Sequence, residues 1–220
     1  MIGRGAAGRI ADTRPPASAS PSCLRSRTRR PPRIAPSVLP LRPATHADVP
    51  AIRALIAASV RGLSAGYYSP AQVEQALVHV FGVDTQLVDD GTYYVVEEGA
   101  LLAAAGGWSA RRTLYGGDQM KGGEDPRLDP ATDAARIRAF FVHPAMSRRG
   151  LARQLYERCE ADAVRAGFRS FELMATLPGE PLYRALGFAA REPASAALPG
   201  GLTLPLLVMA RPIGRPAPER

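Results

Sequence analysis

Apolar residues at helical spacing predict two helices in the amino-terminal half of the chain. Their apolar faces consist of Val49, Ile52, Leu55 and Ile56 in the first helix and of Val73, Ala76, Leu77 and Val80 in the second. Thr45 or Asp48 can cap the first helix, which we expect to end at Gly62. Ser69 is the expected cap of the second helix, because Pro70 follows it at the position where a helix tolerates proline best.

Short runs of β-branched, aromatic and small apolar residues predict the strands of a sheet. We place strands at 37–42, 92–97, 100–108, 135–142, 170–174, 188–191 and 202–209. A helix over 149–166 and a short helix over 180–186 lie between the later strands. The inner side of the longer helix consists of Leu151, Leu155, Cys159 and Ala163. Pro205 favours an edge position or a bulge for the last strand.

The order of these elements indicates the class of fold. Two helices follow the first strand, and a hairpin that turns at Glu98-Gly99 precedes a strand–helix–strand unit. This order predicts an α/β protein with a mixed sheet and helices on both faces. Between 111 and 133 the chain has little apolar content and two glycine pairs. A loop of this length inside a compact domain is usually functional or disordered.

The composition is that of a globular protein, and the positive charge is concentrated outside the predicted fold. Hydrophobic residues make up 46% and charged residues 22% of the chain, and the formal net charge is +8. Residues 1–40 contain eight of the 28 basic residues and one of the 20 acidic residues, so residues 41–220 are nearly neutral. We therefore expect no nucleic-acid partner for the folded part. No apolar run is long enough to span a bilayer, so we expect no membrane partner either. Cys23 and Cys159 form no disulfide framework, which favours a cytoplasmic location.

The charge distribution also predicts the domain organisation. We expect an Arg/Pro-rich disordered tail over 1–37, a folded domain over 38–210 and a short tail over 211–220. The first tail is compatible with an organellar transit peptide, with an arm that binds nucleic acid or a membrane surface, or with an extension that has no function. We favour the last interpretation, because the double prolines at 15–16 and 31–32 would disrupt a targeting helix.

A strand, a basic turn and a helix follow one another between residues 139 and 167, an arrangement typical of an anion site. The apolar strand breaks at His143-Pro144, and the helix begins a few residues later. The unpaired N–H groups in the first turn of a helix, together with the helix dipole, attract a phosphate. The turn residues that carry charge or leave the backbone accessible are Arg148, Arg149, Gly150 and Ala152.

This turn and a second motif make the chain similar to the GNAT superfamily of N-acetyltransferases over residues 38–210. The family pattern after an apolar strand is Gln/Arg-x-x-Gly-x-Gly/Ala, and Gly150 and Ala152 match its last two positions. Ser147 stands where Gln or Arg is usual, and its arginine neighbours can supply the charge. The segment 182–188 resembles the terminal Tyr-x-x-x-Gly-Phe element of the family. The resemblance implies a mostly antiparallel sheet with a central V-shaped splay, and acetyl-CoA as the acyl donor.

The resemblance also implies which residues contact the donor. Its pyrophosphate would bind the N–H groups of residues 148–153, and its amide-rich pantetheine arm would pair with the strand edge at Phe141-Val142. A backbone N–H near the same two residues would stabilise the oxyanion that forms on attack. The implied cofactor-binding residues are Phe141, Val142, Arg148, Arg149, Gly150, Leu151, Ala152, Arg153 and Thr176.

Tyr183 is the predicted general acid, because a phenol held near the sulfur can protonate the departing CoA thiolate. The general base stays open among Glu172, Asp133, Glu97, Glu98 and a chain of water molecules, with Glu172 as the catalytic candidate. His143 can titrate near neutrality, although a histidine at the end of a strand is usually structural. His46 and His79 lie apart from it in the sequence, so we predict no metal site.

Tyr67, Tyr68 and Trp108 would flank an acceptor slot in such a fold. The predicted function is the transfer of an acetyl group from acetyl-CoA to a primary amine by direct attack in a ternary complex. A small molecule or a peptide is the expected partner, and polyamines, amino sugars, amino acids and protein amines all remain open. The alternative is an acyl-CoA-binding regulatory or interaction module without turnover, which the departure at Ser147 keeps open. Homodimers are common in the family.

Overall fold

The structure is a computed structural model that describes residues 39–214 of the chain. The predicted tail over 1–37 lies outside these residues, as does the end of the predicted tail over 211–220. The domain boundaries therefore stay predictions. No helix of the described part is long and apolar enough to cross a membrane.

Seven strands and five helices make up the described part of the chain. The strands are β1 (Leu41–Pro43), β2 (Tyr93–Glu98), β3 (Leu101–Ser109), β4 (Ala135–Val142), β5 (Ser170–Thr176), β6 (Ala189–Ala197) and β7 (Thr203–Pro212). The helices are α1 (Val49–Leu63), α2 (Pro70–His79), α3 (Thr85–Asp89), α4 (Leu151–Arg165) and α5 (Glu180–Ala185). Short 3₁₀ turns begin at His46, Asp118, Pro144 and Pro199.

The predicted elements are present, and α3 and β6 differ most from the prediction. Helix α3 was not predicted, because five residues are too few for a helical period. Its cap is Asp84, whose carboxylate accepts the N–H of Gln86 at 3.2 Å. Strand β6 extends to Ala197, well beyond the predicted end at 191. Pro193 obscures its pattern in the sequence, and β6 tolerates the proline because it is an edge strand.

The seven strands form one sheet in the order β1-β2-β3-β4-β5-β7-β6. All neighbouring strands are antiparallel except β4 and β5, so the predicted mixed, mostly antiparallel sheet is confirmed. Helices cover both faces. Buried residues of α4 and α5 pack in one hydrophobic cluster, and those of α1, α2 and α3 pack in the other. The predicted inner side of α4 is buried in the first cluster.

Strands β4 and β5 pair only at one end, which produces the expected splay. Their two parallel pairs are Ala135↔Phe171 and Arg136↔Glu172. Beyond these pairs β4 contains a bulge. Gly107 of β3 pairs with Arg138, and Ala105 pairs with Phe141, so two residues of β4 lie opposite one residue of β3. The extra residue bends β4 away from β5. Ala139 lies in this bulge with a φ of 54°.

The prediction of an edge position or a bulge at Pro205 was wrong for the strand as a whole. Strand β7 lies between β5 and β6, and the irregular pairing of β6 with β7 is near Ala190. Pro205 lies one residue beyond the last pair with β5, Thr176↔Leu206, and pairs only with Ser195 of β6. The missing N–H of the proline therefore removes no hydrogen bond to β5.

Candidate active site

A cavity of about 230 Å³ lies in the gap between β4 and β5 and extends toward both faces of the sheet. We call its two ends the α4 end and the α1 end. The α4 end is lined by Phe140, Ala152, Pro178, Gly179, Leu182 and Tyr183. The α1 end is lined by Leu63, Val80, Phe81, Leu114, Met174 and Leu206. Two ligands can therefore reach the same gap from opposite faces of the sheet.

The edge of β4 exposes backbone groups to this gap. The N–H of His143 donates to Ala103 of β3 at 2.9 Å, so by alternation the N–H of Val142 points away from β3. It donates instead to the hydroxyl of Ser59 on α1 at a long 3.3 Å. Ser59 is buried, and it was not among the site residues predicted from the sequence. The N–H of Val142, one of the predicted edge residues, can therefore donate a hydrogen bond to a carbonyl of a ligand.

Two consecutive phenylalanines of β4 line opposite ends of the cavity. The ring of Phe140 packs against Tyr183, with 6.4 Å between the ring centroids, and the ring of Phe141 packs edge-on against Phe81 at 6.2 Å. Phe140 has room because Gly106 lies opposite the bulge, where an added Cβ would come within 2.3 Å of the ring. Phe141 was predicted to contact the cofactor through its backbone, and its side chain faces the α1 end.

The turn before α4 has the geometry of an anion site. Arg148 and Gly150 both have left-handed backbone conformations, with φ values of 62° and 85°. The first hydrogen bond inside the helix runs from the N–H of Gln154 to the carbonyl of Gly150 at 3.0 Å. The N–H groups of residues 151–153 come before it and have no partner within the helix. They are available to a phosphate.

The three arginines of this turn differ in their surroundings. Arg149 donates to Glu98 of the β2–β3 hairpin at 2.6 Å, and this contact lowers the pKa of the Glu98 carboxyl. Arg148 and Arg153 are exposed and form no ion pair with any residue of the described chain. Arg148 and Arg153 are therefore free to meet an anion, whereas Arg149 would first have to leave Glu98.

Tyr183 lies on α5 and lines the α4 end of the cavity. Its ring is buried against Phe140 and Phe188. Burial raises the pKa of its phenol well above the ordinary value, so the hydroxyl carries its proton at neutral pH. Thr176, at the end of β5, lines the same cavity, and its hydroxyl accepts the N–H of Gly179 at 3.2 Å.

The carboxylates considered as a general base lie elsewhere and are already engaged. Their partners are Arg136 for Glu172, Arg42 for Glu97, Arg149 for Glu98 and the N–H of Asp129 for Asp133. None of them lines the cavity. Glu172 in particular lies at the joined end of β4 and β5, opposite Arg136. Its position does not support a role in proton transfer.

His143 caps the 3₁₀ turn after β4, where its Nδ1 accepts the N–H of Ala145 at 3.3 Å. This is the structural role expected for a histidine at the end of a strand. Within residues 39–214, no three histidine, cysteine or acidic side chains lie together as metal ligands would.

The three aromatic residues predicted to contact the acceptor do not line the cavity. Trp108 is buried in the cluster below α4, edge-on to Phe168 with 5.9 Å between the ring centroids. The sequence does not show which face of the sheet Trp108 takes, because its neighbours on β3 are small residues that can lie on either face. Tyr68 is buried, and its hydroxyl donates to Pro205 at 2.7 Å and accepts the N–H of Leu177 at 2.9 Å. Tyr67 is 50% exposed outside the cavity.

A buried ion pair supports the α1 end and was not predicted. Arg138 of β4 is 2% exposed and donates to Asp84 at 2.8 Å and to the carbonyls of Thr113 and Gly116 at 2.8 and 2.7 Å. Lys121 also contacts the Asp84 carboxylate. Arg138 thus connects the bulged strand to α3 and to the long loop. An arginine in an apolar strand is the pattern that could have indicated such a contact.

Comparisons with known proteins agree with this geometry. The family model for the acetyltransferase (GNAT) family matches residues 62–188, more than half of the chain. The chain therefore belongs to the GNAT family of acetyltransferases, as the motifs around Gly150 and Tyr183 predicted. No curated protein matches the sequence.

Solved structures show the same fold at low sequence identity. A GCN5-related N-acetyltransferase from Rhodopseudomonas palustris superposes with a TM-score of 0.60 at 18% identity, covering 82% of this chain and 99% of that one. A phosphinothricin acetyltransferase from Sinorhizobium meliloti, in complex with acetyl-CoA, has a TM-score of 0.53 at 21% identity, covering 80% and 89%. The paiA N-acetyltransferase from Thermoplasma acidophilum, in complex with coenzyme A, has a TM-score of 0.53 at 10% identity, covering 79% and 98%.

Proposed function

We propose that this chain transfers an acetyl group from acetyl-CoA to a primary amine by direct attack while both substrates are bound. The observation that carries the proposal is the cavity in the splayed sheet, whose lining includes residues from the α4 side and from the α1 side and so offers room for two ligands. Membership of the family supplies the acetyl-transfer reaction, and the structures of relatives that hold acetyl-CoA or coenzyme A support the donor.

The residues of the α4 end fit the three chemical parts of acetyl-CoA. The N–H groups of residues 151–153 and the free Arg148 suit the pyrophosphate. The unpaired edge of β4 suits the amides of the pantetheine arm, because an extended chain can pair there as an added strand. The N–H of Val142 faces the gap, where it can stabilise an oxyanion at the thioester carbon. Thr176 adds a hydroxyl to the lining of the same cavity.

Tyr183 is the residue we assign to proton donation. Its phenol stays protonated at neutral pH because burial raises its pKa, and its ring lies at the α4 end of the cavity, where the thiol of coenzyme A would leave. A proton held at this oxygen can be delivered to the departing thiolate.

Replacing Tyr183 with phenylalanine tests this assignment. We expect Tyr183→Phe to lower kcat about a hundredfold or more, because general acid catalysis commonly contributes that much. The dissociation constant of acetyl-CoA, measured by calorimetry, should stay within about threefold of the wild type, since the donor contacts above are mainly backbone groups. Unchanged turnover would exclude Tyr183 as the acid.

A matched control is Tyr156→Phe. Tyr156 is also a buried tyrosine, but its hydroxyl accepts a hydrogen bond from Arg211 and it does not line the cavity. This variant should keep kcat near the wild-type value.

The module without turnover makes a different prediction for the wild type, namely calorimetric binding of acetyl-CoA with no thiol release across a broad panel of amines.

A further inference from the structure

We propose that the acceptor is a small amine with an apolar body, in which the amino group is the only charge. This inference rests on the proposed function and specifies its second substrate. The evidence is the lining of the α1 end, which is where an acceptor would enter if acetyl-CoA occupies the α4 end.

The α1 end is walled by aliphatic and aromatic side chains from four separate segments. Leu63 comes from α1, Phe81 from the connection after α2, Leu114 from the long loop and Leu206 from β7. The polar side chains nearby are hydroxyls, chiefly those of Ser59 and Ser64, which are both buried. Such a wall stabilises an apolar body by removing it from water.

The described lining of the cavity provides no free side chain that could pair with a second charge on the acceptor. No aspartate, glutamate or histidine is among the cavity-lining residues of the described chain, and Arg138 is the only charged one. Its guanidinium is engaged by Asp84 and by two backbone carbonyls, so it is not free to hold a carboxylate. A second ammonium group, or a carboxylate on the acceptor, would have no charged partner inside the cavity, which is costly for a charge that loses its water there.

The apolar lining of the α1 end also affects the protonation state of the acceptor amine. An ammonium group must lose a proton before it can attack, and burial among apolar groups favours the neutral form of an amine. Among the described residues, the cavity lacks a carboxylate that could act as a base. An acceptor with a single amino group, desolvated by the apolar wall, therefore depends less on a base than an acceptor whose amine stays hydrated and charged. A polyamine would keep its other charges and gain nothing from this effect.

The size of the cavity agrees with a small acceptor. Its volume of about 230 Å³ lies below the 300–1,000 Å³ that is common for drug-sized ligands. Part of the volume would be taken by the acetyl thioester.

Matched pairs of amines test the inference. The pairs are 2-phenylethylamine with phenylalanine, which adds a carboxylate, and butylamine with 1,4-diaminobutane, which adds a second ammonium group. A tripeptide with an amino-terminal phenylalanine and the polyamine spermidine complete the panel. We expect kcat/KM for thiol release to be at least about tenfold higher for the first member of each pair, and highest for 2-phenylethylamine, since an unpaired buried charge costs more than the roughly 1.4 kcal/mol that a tenfold ratio represents.

A charge placed in the wall should remove most of one preference. Leu114 is only partly buried and belongs to neither hydrophobic cluster, so Leu114→Asp should fold. We expect this variant to raise the ratio of diaminobutane to butylamine activity about tenfold, because the carboxylate can pair with the second ammonium group. Leu114→Asn has a similar shape without the charge and should leave the ratio unchanged.

Calorimetry with acetyl-CoA separates this inference from the function on which it rests. Failure of the wild type to bind acetyl-CoA would overturn the proposed function. Binding of acetyl-CoA with no thiol release from any amine would likewise overturn the proposed function, in favour of the module without turnover. If acetyl-CoA binds and amines are acetylated, the inference alone is overturned when spermidine, diaminobutane, phenylalanine or the tripeptide is acetylated as well as 2-phenylethylamine.

Discussion

The two ends of the cavity are built in different ways, and the neighbouring residues Phe140 and Phe141 mark the division between them. At the α4 end, the groups available to a ligand are largely backbone N–H groups, which come from β4 and from the first turn of α4. At the α1 end they are side chains from segments far apart in the sequence. Substitutions can therefore change the α1 end while the α4 end stays intact, and the predictions below use this difference.

The largest effect is expected at Arg138, whose side chain joins β4 to the long loop beside the α1 end. Arg138→Met removes the main partner of the buried Asp84 carboxylate and leaves the carbonyls of Thr113 and Gly116 without their donor. We expect the free energy of unfolding, measured by urea denaturation, to fall by about 3 kcal/mol, because Lys121 alone would then compensate the buried Asp84 charge and two carbonyls would lose their donor. Any folded fraction should still bind acetyl-CoA with a dissociation constant within about threefold of the wild type.

Arg136→Met is the control for this variant, since Arg136 lies two residues away on the same strand. Its partner Glu172 is about a third exposed, so losing the pair should cost about 1 kcal/mol or less. Equal losses for the two variants would show that the α1 end is not supported by Arg138 in particular.

A smaller effect, dependent on pH, is expected at the start of the long loop. Arg111 donates to both oxygens of Asp90, at 2.6 and 2.8 Å, and these hydrogen bonds lower the pKa of the Asp90 carboxyl. A carboxyl with a lowered pKa stabilises the fold fully above its unfolded pKa near 4, and this contribution is lost as the pH falls through the folded pKa. Asp90→Asn should therefore be less stable than the wild type by about 1 kcal/mol at pH 7, and the difference should vanish in acid.

The measurement is chemical denaturation of both proteins from pH 7 to pH 3, compared at each pH. Glu98→Gln is the matched control at the α4 end, because Glu98 and Arg149 form an exposed pair whose loss should leave stability unchanged. A constant difference between wild type and Asp90→Asn across this range would contradict the linkage.

The contrast between the two ends also explains what could be predicted from the sequence. Strand β4 was predicted with its correct bounds, and the turn at Gly150 was predicted as an anion site, because both depend on short stretches of chain. The Arg138–Asp84 pair joins residues 54 positions apart, and no local pattern indicates such a partner. Trp108 was predicted beside the acceptor, whereas it is buried in the hydrophobic cluster below α4. The neighbouring small residues on β3 do not show which face its side chain takes.

The smallest effect is expected at Ser59, where the two ends meet. Its hydroxyl accepts the N–H of Val142 at 3.3 Å, and a carbonyl of acetyl-CoA paired with the β4 edge would have to replace it. Ser59→Ala should therefore lower the free energy of unfolding by about 0.5–1 kcal/mol, because a part-buried N–H loses its partner, and should tighten acetyl-CoA binding about two- to fivefold, because the competing acceptor is gone. Denaturation and calorimetry on the same preparation measure both changes, and Ser64→Ala, which removes a second buried hydroxyl of the cavity, is the control. Weaker binding of acetyl-CoA with unchanged stability would mean that the Ser59 hydroxyl contacts the donor itself.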